Sequence, residues 1–151
     1  MKKEIRTIPD DYFEKPYLVI DLLPFQVPAD SEGQYFAVEQ YYLRPERFDD
    51  ICRQRTEILL KLNCYYDLAV YEEERWISLS PEELAQRAME HREDLMILVP
   101  SAECLMQVSC DSTYITVYSP SEQLASLLET LANAHGMFVF DPVQKNSGSA
   151  Q

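Results

Sequence analysis

Residues 80–100, SPEELAQRAMEHREDLMILVP, and residues 104–118, CLMQVSCDSTYITVY, decide the fold class. Ser80-Pro81-Glu82-Glu83 is a capping box with proline at the first helical position, so a helix starts there. Leu84, Ala85, Ala88 and Met89 recur at helical spacing, and the helix is predicted to end near His91 or Arg92. Leu95–Val99 is a short continuous apolar run, the mark of a strand buried on both faces. Leu105–Cys110 and Thr113–Tyr118 flank Asp111-Ser112 and read as a hairpin. A helix, a buried strand and a hairpin in sequence are the ingredients of a sheet covered by helices.

Working upstream, Tyr65–Tyr71 reads as a strand, and the charged turn Glu72-Glu73-Glu74 leads from it into Trp76-Ile77-Ser78-Leu79. Before them, Pro45 to Asn63 has Phe48, Ile51, Cys52, Ile58, Leu59 and Leu62 at three- and four-residue spacing. This predicts an amphipathic helix whose arginines and acids fill the outer face. Residues 17–23, YLVIDLL, and 35–43, YFAVEQYYL, are rich in β-branched and aromatic residues and are expected to pair as two strands. Downstream, Ser119-Pro120-Ser121-Glu122 repeats the cap-and-proline arrangement before Leu124, Leu127, Leu128 and Leu131. Gly136 is a natural helix stop, and Met137–Phe140 a last strand. The predicted order is ββαβαβββαβ: one α+β domain over 1–142, a mixed or mainly antiparallel sheet with about three helices packed on it. Residues 143–151 are expected to form a flexible tail.

The 151 residues suit one domain with a self-sufficient core. Met1–Arg6 begin like a basic leader, but no apolar segment follows. No stretch approaches the ~18 apolar residues of a membrane span, so a cytoplasmic location is expected. The four cysteines, 52, 64, 104 and 110, include no Cys-x-x-Cys pair and are expected to be reduced thiols.

Charge narrows function further. The chain has 26 acidic and 13 basic residues, a formal charge of −13, which repels phosphate backbones and anionic membranes. The expected partners therefore exclude nucleic acid and membrane and favour a basic protein, whose encounter the field would accelerate. From Glu93 to Gln144 there is no lysine or arginine at all. With three glycines in the chain, neither a dinucleotide fingerprint nor a phosphate loop can be written. No Gly-x-Ser-x-Gly elbow is present, and His91 and His135 lack the neighbours of a zinc set. No cofactor, metal or catalytic residue is expected.

Ten tyrosines remain notable, including Tyr35, Tyr41, Tyr42, Tyr65, Tyr66 and Tyr71 on either side of the first predicted helix. Tyrosine and acid together suit a protein interface. The candidate partner-binding residues are Tyr71, Glu72, Glu73, Glu74 and Trp76 on one edge, with Asp111 and Glu122 as a second patch. The alternative reading is a small-ligand or enzymatic domain with a pocket between sheet and helices.

The segment Leu131-Ala132-Asn133-Ala134-His135-Gly136-Met137-Phe138-Val139-Phe140-Asp141-Pro142 resembles an ending found in small bacterial α+β proteins, some of them immunity proteins of toxin systems. The resemblance covers about a dozen residues. It implies a non-catalytic inhibitor that covers a basic toxin or nuclease.

Overall fold

A computed structural model describes residues 10–142, so the expected tail at 143–151 lies outside the described residues. After a 3-10 turn at Asp10–Glu14, the elements are β1 (Tyr17–Asp21), α1 (Tyr35–Tyr42), α2 (Pro45–Leu62), β2 (Ala69–Glu72) and β3 (Arg75–Ile77). They continue with α3 (Pro81–Glu90), β4 (Leu95–Val99), β5 (Cys104–Val108), β6 (Ile115–Tyr118), α4 (Glu122–Ala134) and β7 (Phe138–Phe140). The protein is a single α+β domain built on one seven-stranded sheet of order β3-β2-β4-β5-β6-β1-β7. Every described pairing is antiparallel.

The core follows from period-2 alternation carried across matched registers. Ile77, Val70, Ile97, Met106, Val117 and Leu18 stand opposite one another in a row that crosses six strands. Ile20, Ile115 and Val108 form the next row. Both rows point at the helices and meet Ile58, Leu59, Leu62, Leu84, Leu124 and Leu128, which are essentially inaccessible. At roughly 1.5–3 kcal/mol per fully buried aliphatic side chain, this layer is the main stabilising term. The opposite sheet face carries Ala69, Leu98, Leu105, Tyr118 and Tyr17 in register, with the Phe13 ring packed edge-on against Tyr118 at 5.3 Å.

α3 begins as its sequence dictates. The Ser80 side chain accepts from the Glu83 amide, Glu83 returns a bond to the Ser80 amide, and Pro81 opens the helix. It ends on His91 in the left-handed region, φ 40°. α4 is capped by Ser121, which accepts from the Leu124 amide at 3.1 Å. Ser119, expected as the cap, instead has φ 62° in the turn, and Pro120 precedes the cap rather than opening the helix.

Four other expectations are corrected. Residues 35–42 form a helix, not a strand paired with β1, and so there are four helices. Both sides of β1 are already occupied, by β6 and β7, so its proposed hairpin partner had no edge to join. Without that ladder, Ala37, Glu39 and Gln40 favour the helix, and the Tyr35 hydroxyl donates to Glu39 at 3.0 Å one turn on. Residues 64–66 extend the end of α2 through turn bonds from Cys64, Tyr65 and Tyr66 to Lys61 and Leu62, which shortens the next strand to Ala69–Glu72. Cys110 lies in the turn between β5 and β6 rather than in a strand, and Arg55 is buried instead of on the outer face of α2. No described helix is long and apolar enough to cross a membrane.

Candidate interaction surface

α1 is a helix none of whose residues is buried. Amphipathic helices normally gain their stability by burying an apolar face, and this one instead exposes Tyr35, Phe36, Val38, Tyr41 and Tyr42. Leu23 and Phe25, in the segment leading to it, are exposed as well. The rings are held in pairs, Tyr35 with Phe36 at 5.4 Å and Tyr41 with Tyr42 at 5.3 Å. The guanidinium groups of Arg44 and Arg47 sit over the Tyr41 ring at 5.5 and 5.1 Å. Scattered exposed apolar residues are ordinary, but several on one short helix make it a candidate interaction surface.

The turn Ser109–Tyr114 between β5 and β6 adjoins this helix through Tyr35, which feels the charges of Asp21 and Tyr114. Burial pushes the Tyr35 phenol up to about 12, assisted by its bond to Glu39 and by those neighbouring charges. Tyr114 is exposed at the turn, and its own phenol is raised by burial first and then by Asp111, Asp94, Asp21 and Glu39. Asp21 and Glu39 thus act on both tyrosine hydroxyls, and Asp94 and Asp111 on that of Tyr114.

Each carboxylate is positioned. Asp21, at the end of β1, accepts from Thr113 Oγ1 at 2.6 Å and from the Leu22 amide at 2.7 Å. Burial still holds its carboxyl above the usual range, because it outweighs those bonds and the attraction of Arg55. Asp94 is also pushed up by partial burial, but bonds from the Cys110 amide at 2.9 Å and from Gln107 Nε2 at 2.7 Å prevail and leave it lowered. Asp111 accepts from Ser109 Oγ at 3.1 Å. Potential ligand atoms of Asp94, Cys110 and Asp111 lie within 4.8 Å of one another. Exposed acids cluster this way without an ion, and we assign no metal to them.

Beneath the turn lies Arg55, 1% exposed. Its Nη1 donates to the carbonyls of Ser112 at 3.0 Å and Tyr114 at 3.4 Å, and Nη2 to Cys52 Sγ at 3.6 Å. The guanidinium also sits over the Phe48 ring at 5.4 Å. Its Nε and the Trp76 indole nitrogen are the buried side-chain polar atoms without a partner among the described residues. A buried guanidinium that reaches two carbonyls of one turn fixes that turn to α2.

The residues expected to bind a partner are distributed as follows. Tyr71 and Trp76 are cross-strand neighbours on β2 and β3, with ring centroids 5.1 Å apart. Glu73 and Glu74 form the tip of that hairpin, with φ of 52° and 64°, the conformation of a two-residue primed turn. Glu72 is engaged by Arg87 through two bonds of 2.8 and 3.0 Å, so its charge is locally compensated. Asp111 and Glu122 are not brought together: Asp111 precedes β6, and Glu122 follows it at the far end of the strand. Glu122 borders a shallow, open depression along α4 with Gln123, Ser126, Leu127 and Thr130.

All four cysteines are free thiols, Cys52 and Cys104 buried, and burial pushes Cys104 up to about 12. The α1 surface was missed as a unit because its tyrosines were read in an extended segment. The signal that points to it is Ala37-Val38-Glu39-Gln40, whose Tyr35-to-Glu39 spacing is one helical turn. No family model, curated protein or solved structure shows a significant match to the chain.

Proposed function

We propose that this is a non-catalytic protein-binding module that docks a basic protein partner through α1 and the adjoining acidic turn. The observation that carries the reading is a helix with no buried residue, lined by Tyr35, Phe36, Val38, Tyr41 and Tyr42 beside Asp21, Glu39, Asp94 and Asp111. Rings of tyrosine and phenylalanine supply contact area at low entropic cost and form the centre of binding hot spots. Carboxylates at the rim steer a cationic partner and set the salt dependence of its arrival. Complementarity reaches the whole chain, whose formal charge is −13.

In its most concrete form the protein is an immunity-type inhibitor that occludes a basic toxin or nuclease. Aromatic side chains of α1 would then cover the apolar part of the target, and carboxylates would meet the lysines and arginines that bind its substrate phosphates. The test is co-expression with the product of the adjacent gene, scored for growth and for co-purification at low and high salt. Relief of toxicity together with a salt-sensitive complex, lost in a Phe36→Asp/Tyr41→Ala variant, is the expected result. A complex that survives that double substitution rejects α1 as the docking surface.

A further inference from the structure

At the end of α2 remote from α1, three side chains from two helices meet in a line. His135, the residue that closes α4, has Nε2 2.8 Å from Lys61 Nζ and Nδ1 3.1 Å from Gln54 Oε1. Gln54 and Lys61 are seven residues apart on α2, so both lie on the face that α4 approaches. The bonding partners determine the proton positions. A lysine ammonium has only donors, so Nε2 of His135 must be the acceptor. Nδ1 is then the donor to the Gln54 carbonyl, which orients the ring with Nε2 facing Lys61. Lys61 itself remains exposed to solvent.

This is the spatial order of an activated nucleophile: attacking group, base, and a third group that orients the base. We propose that Lys61 is a modification site that accepts small acyl groups from activated donors of the acyl phosphate and thioester class, with His135 as the base and Gln54 as its positioning residue. The ammonium of Lys61 passes a proton to Nε2 of His135, and the freed Nζ lone pair attacks the donor carbonyl carbon. A C–N bond forms and the C–O bond to phosphate, or the C–S bond to the thiol, breaks with its electron pair. The second Nζ proton and the one held by His135 pass to solvent, and no oxidant or reductant takes part. The product is an amide at Lys61, which cancels a positive charge in a chain that has only 13 basic residues. A bridge between two helices explains the contacts alone but predicts no excess reactivity, so the two are separable.

The experiment is a timed reaction of the full chain with acetyl phosphate, and separately with a small acetyl thioester, in the presence of a lysine-amide reference. Peptide mass spectrometry would read the acylation of Lys61, Lys15 and the reference. Lys61 is expected to react about tenfold faster than the reference at pH 7, a modest share of what a positioned base supplies. His135→Gln should return it to the reference rate. Gln54→Leu should lower the rate and move its pH profile, whereas Gln54→Glu, which still accepts from Nδ1, should preserve it. A wild-type Lys61 no faster than the reference overturns the proposal without any variant, and so does an undiminished rate in folded His135→Gln. Reaction with the thioester alone would restrict the donor to that source.

Discussion

Phe36 and Phe48 are the same residue type in consecutive helices, with opposite surroundings, and truncating each to alanine separates folding from binding. Phe36 is 76% exposed and Phe48 6% exposed. A phenylalanine offers about 200 Å² to burial, so Phe36 hides roughly 50 Å² in the isolated protein, worth at most about 1 kcal/mol. Alanine regains about half of that through its higher helix propensity. Phe36→Ala should therefore change the unfolding free energy by no more than ~0.5 kcal/mol. Phe48 packs against Ile51 and Cys52 and touches Arg55 and His91, and its truncation leaves a cavity that should cost about 3–4 kcal/mol. Urea unfolding followed by far-UV dichroism and by Trp76 fluorescence measures both. On a partner, the exposed share of Phe36 becomes available, and its loss should weaken binding by about 2 kcal/mol, roughly 30-fold in Kd. A destabilisation above ~2 kcal/mol for Phe36→Ala would refute the reasoning, because α1 would then be part of the folding core and not a surface left for another molecule.

Arg55→Met removes both bonds to the turn carbonyls of Ser112 and Tyr114 and should cost about 2–3 kcal/mol, with faster amide exchange in residues 109–114. A loss below ~1 kcal/mol would mean that the cost of burying the cation cancels its bonds. Asp21→Asn tests the raised carboxyl: the folded state holds that proton more tightly than the unfolded chain, so the contribution of Asp21 is complete below its unfolded pKa and lost as pH rises through the folded one. The stability of Asp21→Asn relative to wild type should therefore climb as pH rises above the ordinary aspartate range and level off once the folded-state carboxyl is fully ionised, and a relative fall would reverse the assignment. Ser80→Ala and Ser121→Ala should each cost about 1 kcal/mol in thermal or urea unfolding, with Ser80 the costlier because Glu83 also loses its reciprocal bond. Equal or negligible losses would show that packing alone sets these helix starts.

Legibility in the sequence followed how local the information was. α3 carries its own start signal in Ser80-Pro81-Glu82-Glu83, and β4 its own burial in five consecutive apolar residues. Both could be read without knowing their neighbours. α1 could not, since Tyr35, Phe36 and Val38 suit a pleated strand as long as a strand edge is free. The positions beside β1 are filled by β6 and β7, from a hundred residues downstream, a pairing that no local pattern announces. Ser119-Pro120 matches the Ser80-Pro81 start, but the backbone of Ser119 turns at φ 62° and the cap falls on Ser121. Of the candidate binding residues, Glu72 was legible as an acid but not as the partner of Arg87, which is fifteen positions away. Arg55 was read on the outer face because the other polar residues of α2 lie there, and its burial depends on a turn almost sixty residues later. Asp111 was singled out by its turn, whereas its adjacency to α1 through Tyr35 and Tyr114 exists only in three dimensions.

The place of β1 also sets a timetable. It is the earliest of the described strands to be made, yet it ends between the last two of them, with Ile20 opposite both Ile115 and Val139. At roughly 5–20 residues per second, synthesis leaves β1 waiting on the order of 5–20 s for β6 to appear. For that interval an apolar strand with two unpaired edges is tethered beside a nascent half-sheet. The sheet is therefore completed only after β6 and β7 have been made.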